Sequence, residues 1–120
     1  MTELKVLLVD DHSVVRMGFK MLIDSERDMK VIAESETGED GIQKYQELKP
    51  DVTVMDITMP GIGGLEAIER IIAKDKNAKI LVLSAHEDSV HPKRVPYLSP
   101  IRTTLVKSQG DFLGAISGTV

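Results

Sequence analysis

Leu4-Lys5-Val6-Leu7-Leu8-Val9 runs directly into Asp10-Asp11. A short apolar run closed by acids reads as a strand buried on both faces, the form taken by parallel strands. Similar runs recur at Val31 to Ala33, Val52 to Met55 and Ile80 to Leu83. Helical patterns lie between them. Val15, Phe19, Leu22 and Ile23 make one apolar stripe, and Ile42, Tyr45 and Leu48 make a second behind Glu39 and Asp40. Carboxylates at that point favour a helix N-terminus. Leu65, Ile68, Ile71 and Ile72 form the third stripe, with a stop near Asn77. Strand and helix alternating in this way predict a doubly wound α/β fold, a parallel sheet with helices on both faces.

The bulk composition agrees with one domain. The 120 residues are 42% hydrophobic and 28% charged, enough for a single core. Only two Phe and two Tyr are present and no Trp, so that core has to come from Val, Ile, Leu, Met and Ala. Met17, Met21, Met55 and Met59 are expected to pack in the core and loops. Fifteen basic and nineteen acidic residues give a net charge of -4 without a long block of either sign. No basic face supports direct nucleic acid or anionic membrane binding. The absence of Cys excludes disulfides and Cys-ligated zinc. No apolar run approaches the roughly 20 residues that span a bilayer. Met1 to Lys5 lacks the pattern of a signal peptide, so a cytoplasmic location is the expectation.

Ligands of doubly wound sheets bind beyond the carboxyl ends of the strands. The polar residues there are Asp10 and Asp11 after the first strand, Asp56 after the third and Ser84 after the fourth. Taken singly, each has an ordinary explanation: Asp10-Asp11 as a turn or helix cap, Ser84 as a strand end. Their placement after three separate strands is what points to a site. Clustered carboxylates raise one another's pKa unless a cation neutralises them, and an all-oxygen set suits Mg²⁺. An Asp beside Mg²⁺ can act as a nucleophile toward a phosphoryl group. His12, His86 and His91 lie among polar neighbours and read as surface residues rather than metal ligands.

Three segments carry a family resemblance: Leu7 to Val9 with Asp10-Asp11-His12, Met55 to Gly61 continuing to Gly63-Gly64, and Leu81 to Ala85. They resemble the signatures of receiver domains of two-component response regulators, with a five-stranded flavodoxin-like fold. The Asp-Asp-His start with Arg16 and Gly18 is similar to the NarL/FixJ, or LuxR-type, branch. The resemblance implies phosphorylation of Asp56 by a sensor histidine kinase. It also implies Mg²⁺ held by Asp10, Asp11, Asp56 and the Thr58 carbonyl. Ser84 would be the switch hydroxyl, Lys107 the phosphoryl-binding lysine, and Thr58 and His86 the positions that tune phosphoryl lifetime. In that branch the receiver, here residues 1–120, controls a C-terminal DNA-binding domain that these residues do not contain, and it can form homodimers.

Residues 96–120 depart from the family pattern. Pro96 and Pro100 interrupt the stretch where a fourth helix is expected. Taking Lys107 as the family lysine places Thr104 at the position of the usual switch aromatic. An alternative alignment takes Tyr97-Leu98-Ser99 as the fifth strand and puts Pro100 in place of the lysine. Two competing functions follow. One is an interaction module with the receiver fold that no longer accepts phosphate. The other is a haloacid-dehalogenase-type phosphatase, disfavoured because such enzymes resemble Asp-x-Asp after the first strand, whereas here the pair is adjacent. Both flanks of 96–104 fit the family while the segment between does not, which motivates the hypothesis of a local frame slip restored near Leu105. Sequencing the coding DNA in both directions is expected to reveal the shift; an unshifted frame in the natural gene removes the hypothesis.

Overall fold

The computed structural model describes residues 3–57, 59 and 61–83, the backbone of 101–104, and residues 114 and 116. Five strands, β1 (Leu4–Val9), β2 (Met29–Ser35), β3 (Val52–Asp56), β4 (Ile80–Leu83) and β5 (Ile101–Thr104), form one parallel sheet. Its order is β2-β1-β3-β4-β5. Three helices, α1 (Ser13–Asp24), α2 (Gly38–Leu48) and α3 (Gly63–Lys74), connect the first four strands. The expected strands are all present, with β2 extended at both ends. The fifth strand runs from Ile101 to Thr104, and Lys107 lies outside the described residues.

Alternation along β1 divides the core. Leu7 and Val9 face a cluster with Tyr45, Met55, Ala67, Ile68 and Ile71, beneath α2 and α3. Val6 and Leu8 face the opposite cluster with Ile23, Val31, Val52, Val54 and Ile116, where Phe19 and Leu22 of α1 also pack. A strand buried on both sides has no solvent face, which is why Val6 to Val9 is apolar throughout and Val52 to Met55 is apolar but for the buried Thr53.

Two of the helix expectations need correction. Met17 and Met21 are 61% and 69% exposed, not packed. They lie on the side of α1 away from Phe19 and Ile23, since two residues along a helix turn the side chain by about 200°. Met55 and Met59 are buried as expected. Val15 and Leu48 belong to the inward stripes but sit in the end turns of their helices, and both remain 44% exposed.

The helix ends follow local chemistry. Thr37 caps α2 by accepting from the Asp40 N–H at 3.0 Å. At the other end Lys49 adopts a left-handed conformation with φ 49° and donates its N–H to the Tyr45 carbonyl. Tyr45 also ties α2 to the end of α3, because its buried hydroxyl donates to Asp75 Oδ2 at 2.7 Å. That bond holds the Asp75 carboxyl below its ordinary pKa. Burial, then the bond to Asp75, push the Tyr45 hydroxyl up.

A depressed carboxyl contributes stability that is present above its unfolded pKa and lost as pH falls through its folded value. Tyr45→Phe is therefore expected to cost about 1 kcal/mol at neutral pH, discounted for the partial exposure of Asp75. The difference from the parent should narrow as pH falls below about 4. Urea melts at a series of pH values measure both.

Candidate functional site: an acidic pocket at the β1 and β3 ends

The chain passes from β1 outward to β2 and then returns to the far side of β1 as β3. Strand order therefore reverses between β1 and β3, and their carboxyl ends open on the crevice where such sheets bind ligands. Val9 pairs with Met55, so Asp10 emerges beside Asp56. Asp10 is 3% exposed and Asp56 8%. The Asp10 N–H remains in the sheet edge, donating to the Ser35 carbonyl at 3.0 Å. Asp10 Oδ1 accepts the His12 N–H at 2.8 Å and so shapes the turn into α1.

Asp10, Asp11, His12 and Asp56 each bring one ligand atom into a group whose members all lie within 4.8 Å of one another. His12 Nδ1 stands 3.2 Å from Asp10 Oδ1, 3.0 Å from Asp11 Oδ1 and 3.7 Å from Asp56 Oδ2. The bond to Asp10 and the negative charge of Asp11 hold the exposed imidazole above its ordinary pKa. The Asp10 carboxyl is also raised, first by burial and further by the charge of Asp56. Asp11 Oδ1 is buried and has no hydrogen-bond partner; His12 Nδ1 faces it outside hydrogen-bonding geometry. Buried carboxylate oxygens brought together with one left unbonded form a hard, all-oxygen donor set, which fits Mg²⁺.

Behind Asp56 the backbone is crowded. Gly61 and Gly63 have positive φ values of 80° and 76°, the left-handed region that favours glycine. Gly64 then brings the first turn of α3 against the Asp56 peptide. A Cβ there would fall inside the Asp56 carbonyl oxygen and 2.6 Å from Ile57 Cα.

The response regulator receiver domain family matches residues 6–107. The chain belongs to that family. It is 39% identical to the response regulator GacA of Pseudomonas aeruginosa over 92 residues, 77% of this chain and 43% of GacA. The chain thus spans less than half the length of that relative. A LuxR-family two-component response regulator from Aurantimonas superposes with a TM-score of 0.85 at 30% identity, covering 98% of this chain and 84% of that one. A chain of the CheX–CheY–BeF3–Mg²⁺ complex from Borrelia burgdorferi gives 0.84 at 25% identity, covering 98% and 89%. The LuxR-type resemblance read from Asp10-Asp11-His12, Arg16 and Gly18 agrees with the Aurantimonas neighbour.

Of the expected receiver site, Asp10, Asp11 and Asp56 converge. Thr58, Ser84, His86 and Lys107 lie outside the described residues. The sequence reading set His12 aside as a surface residue; it is exposed, yet it faces all three carboxylates. Its position directly after the Asp pair was the available signal. Arg16 was noted only as a mark of the branch, and it proves to contact the Asp10 backbone, donating from Nη1 to the carbonyl at 2.6 Å.

Gly64→Ala is expected to destabilise the receiver by about 3 kcal/mol, because the added methyl meets backbone rather than a flexible side chain. Chemical denaturation gives the magnitude. An amide shift at Asp56 in the NMR spectrum of the variant would locate the strain.

Proposed function

We propose that the chain is the phospho-acceptor receiver domain of a two-component response regulator, phosphorylated on Asp56 by a sensor histidine kinase with Mg²⁺ as cofactor. The observation that carries this reading is the convergence of Asp10, Asp11 and Asp56 within 4.8 Å at the β1 and β3 ends. A Borrelia complex of the same fold that carries BeF3 and Mg²⁺ supports it.

Asp10, Asp11 and Asp56 would hold the cation together with the Thr58 carbonyl. When bound, Mg²⁺ neutralises charge on the carboxylates and on the transferred phosphoryl oxygens. Asp56 is the nucleophile: its carboxylate oxygen forms a bond to phosphorus as the bond from phosphorus to the kinase imidazole breaks. The electron pair of that broken bond stays on the imidazole nitrogen. Burial of Asp56 beside two other carboxylates keeps the reacting oxygen poorly solvated, which favours a charge-compensated reaction. Ser84 and Lys107 are the phosphoryl-binding and switch residues in this reading, and Thr58 and His86 set the lifetime of the phosphoryl group. Phosphorylation then shifts a two-state equilibrium of the surface, and the changed surface is the signal.

In this reading the chain is a regulatory phospho-acceptor rather than an enzyme, and it takes part only in its own phosphorylation and dephosphorylation at Asp56. In a longer parent protein of GacA-like length, the receiver governs a C-terminal DNA-binding domain and hence transcription; a homodimer of the receiver fits this role. The receiver itself binds no nucleic acid. No helix among the described residues is long and apolar enough to cross a membrane, which is compatible with the cytoplasmic location proposed here.

Intact-mass spectrometry after incubation with acetyl phosphate and Mg²⁺ tests the reading. The chain should gain one phosphoryl group, and Asp56→Asn should gain none. A chelator should abolish the gain. A folded, Mg²⁺-binding chain that gains nothing would instead be an interaction module with a receiver fold.

A further inference from the structure

Arg16 has no role in the chemistry described so far, yet it is one of the most constrained side chains near the pocket. Its side chain is 13% exposed. Nη1 donates to the Asp10 carbonyl at 2.6 Å, Nε to Glu34 Oε1 at 3.1 Å and Nη2 to Glu36 Oε1 at 3.2 Å. One planar group thus joins the end of β1, the end of β2 and the loop before α2.

The placement follows from the helix. Arg16 N–H bonds the His12 carbonyl at 2.8 Å, so the residue sits in the first turn of α1. Long side chains in helices lean back toward the N-terminus, which carries the guanidinium toward the strand it follows. There it meets the peptide between Asp10 and Asp11. The Asp10 N–H is fixed by the Ser35 carbonyl, and the Asp10 carbonyl is fixed by Arg16. The first bond holds the Val9–Asp10 peptide and the second the Asp10–Asp11 peptide, so the backbone is tethered on both sides of the Asp10 Cα, and the carbonyl side of the peptide that leads into Asp11 is restrained.

We propose that Arg16 is a positioning residue for the metal pocket: by clamping the Asp10 carbonyl to Glu34 and Glu36, it aims Asp11 at the cation. This rests on the phospho-acceptor reading for its biological purpose. Arg16 does not touch the cation or the phosphoryl group. Its action is through the Asp10–Asp11 peptide, as outer groups orient metal ligands elsewhere. Arginine suits the task because three donors diverge from one rigid plane toward three acceptors. A lysine ammonium at the same place is a single point with a flexible stem. It can hold the carbonyl or a carboxylate but loses the fixed angle between them.

Glu34 is itself held. Lys44 donates to the Glu34 carbonyl and pairs with Asp40 at 3.0 Å. The clamp is thereby anchored to α2 as well as to β2. The residues Arg16, Glu34, Glu36, Thr37, Asp40 and Lys44 line one open depression of about 400 Å³ beside the acidic pocket. The depression is the outer side of the clamp.

The test measures Mg²⁺ binding to the unphosphorylated chain by NMR titration, with phosphoryl gain from acetyl phosphate followed separately. Arg16→Met should raise the half-saturating Mg²⁺ concentration about tenfold. Phosphoryl gain should return to the parent level once Mg²⁺ is saturating, which separates positioning from chemistry. Arg16→Lys should recover only part of the affinity. The double variant Glu34→Gln with Glu36→Gln, which loosens the guanidinium while leaving it in place, should shift the half-point in the same direction. It also carries the test if Arg16→Met fails to fold.

A folded Arg16→Met chain with the parent's Mg²⁺ half-point overturns the proposal, even if its melting temperature falls. An unchanged half-point in the double variant, beside an unfolded Arg16→Met, overturns it too, since Arg16 would then serve stability alone. The parent chain distinguishes the two levels of the argument. If it binds Mg²⁺ without gaining phosphate, the phospho-acceptor reading fails while the clamp is still measured by the half-point. If it binds no Mg²⁺, the reading of the pocket fails first.

Discussion

Parallel pairing of β1 with β3 forces negative charges from two strands into one buried rim. Val9 lies opposite Met55, and the next residues on each strand are Asp10 and Asp56. Neither can move away without breaking the sheet at its centre, where both faces are packed. The repulsion is therefore a fixed property of the fold, and it adds to burial, the larger cause, in raising the pKa of Asp10. Much of the neighbouring structure answers it. His12 sets a polarisable ring against all three carboxylates, and the Asp10 side chain spends one oxygen on the turn into α1. What remains is an excess of negative charge in the buried rim, an arrangement that favours a compact cation.

The architecture was legible because it rests on burial. Parallel strands closed in on both faces cannot alternate polar and apolar residues, so Leu4 to Val9 and Val52 to Met55 stood out as runs. The three carboxylates were legible for the same reason: polar residues end such runs abruptly, and the topology brings the ends together. The side of a helix that meets solvent was harder to read. Met17 and Met21 are apolar by type and exposed by position, and composition alone does not distinguish a methionine that packs from one that does not. End-turn residues such as Val15 and Leu48 show the same limit, because a stripe gives direction but not depth.

Contacts to backbone carbonyls were the least legible of all. Nothing in the spacing of Arg16 from Asp10 announces that the guanidinium returns to the peptide it follows. The same is true of Gly64. Its value lies in the absence of a side chain at a close approach, and a second glycine next to Gly63 in a loop looks like ordinary punctuation. Both features concern the peptide groups that carry the acidic residues. Side-chain patterning along the chain is silent about such groups.

The close seating of α3 on the Asp56 peptide has a mechanical consequence. Loops usually absorb small movements at a strand end, so that a change at a site dies away within a few residues. Here Gly64 rests against the Asp56 carbonyl with no space between, and α3 is joined to α2 across the core by the Tyr45–Asp75 bond. The helix behaves as a rigid follower on a short cam. A shift of the Asp56 peptide toward α3 therefore meets helix backbone directly, with no slack chain between them to take it up.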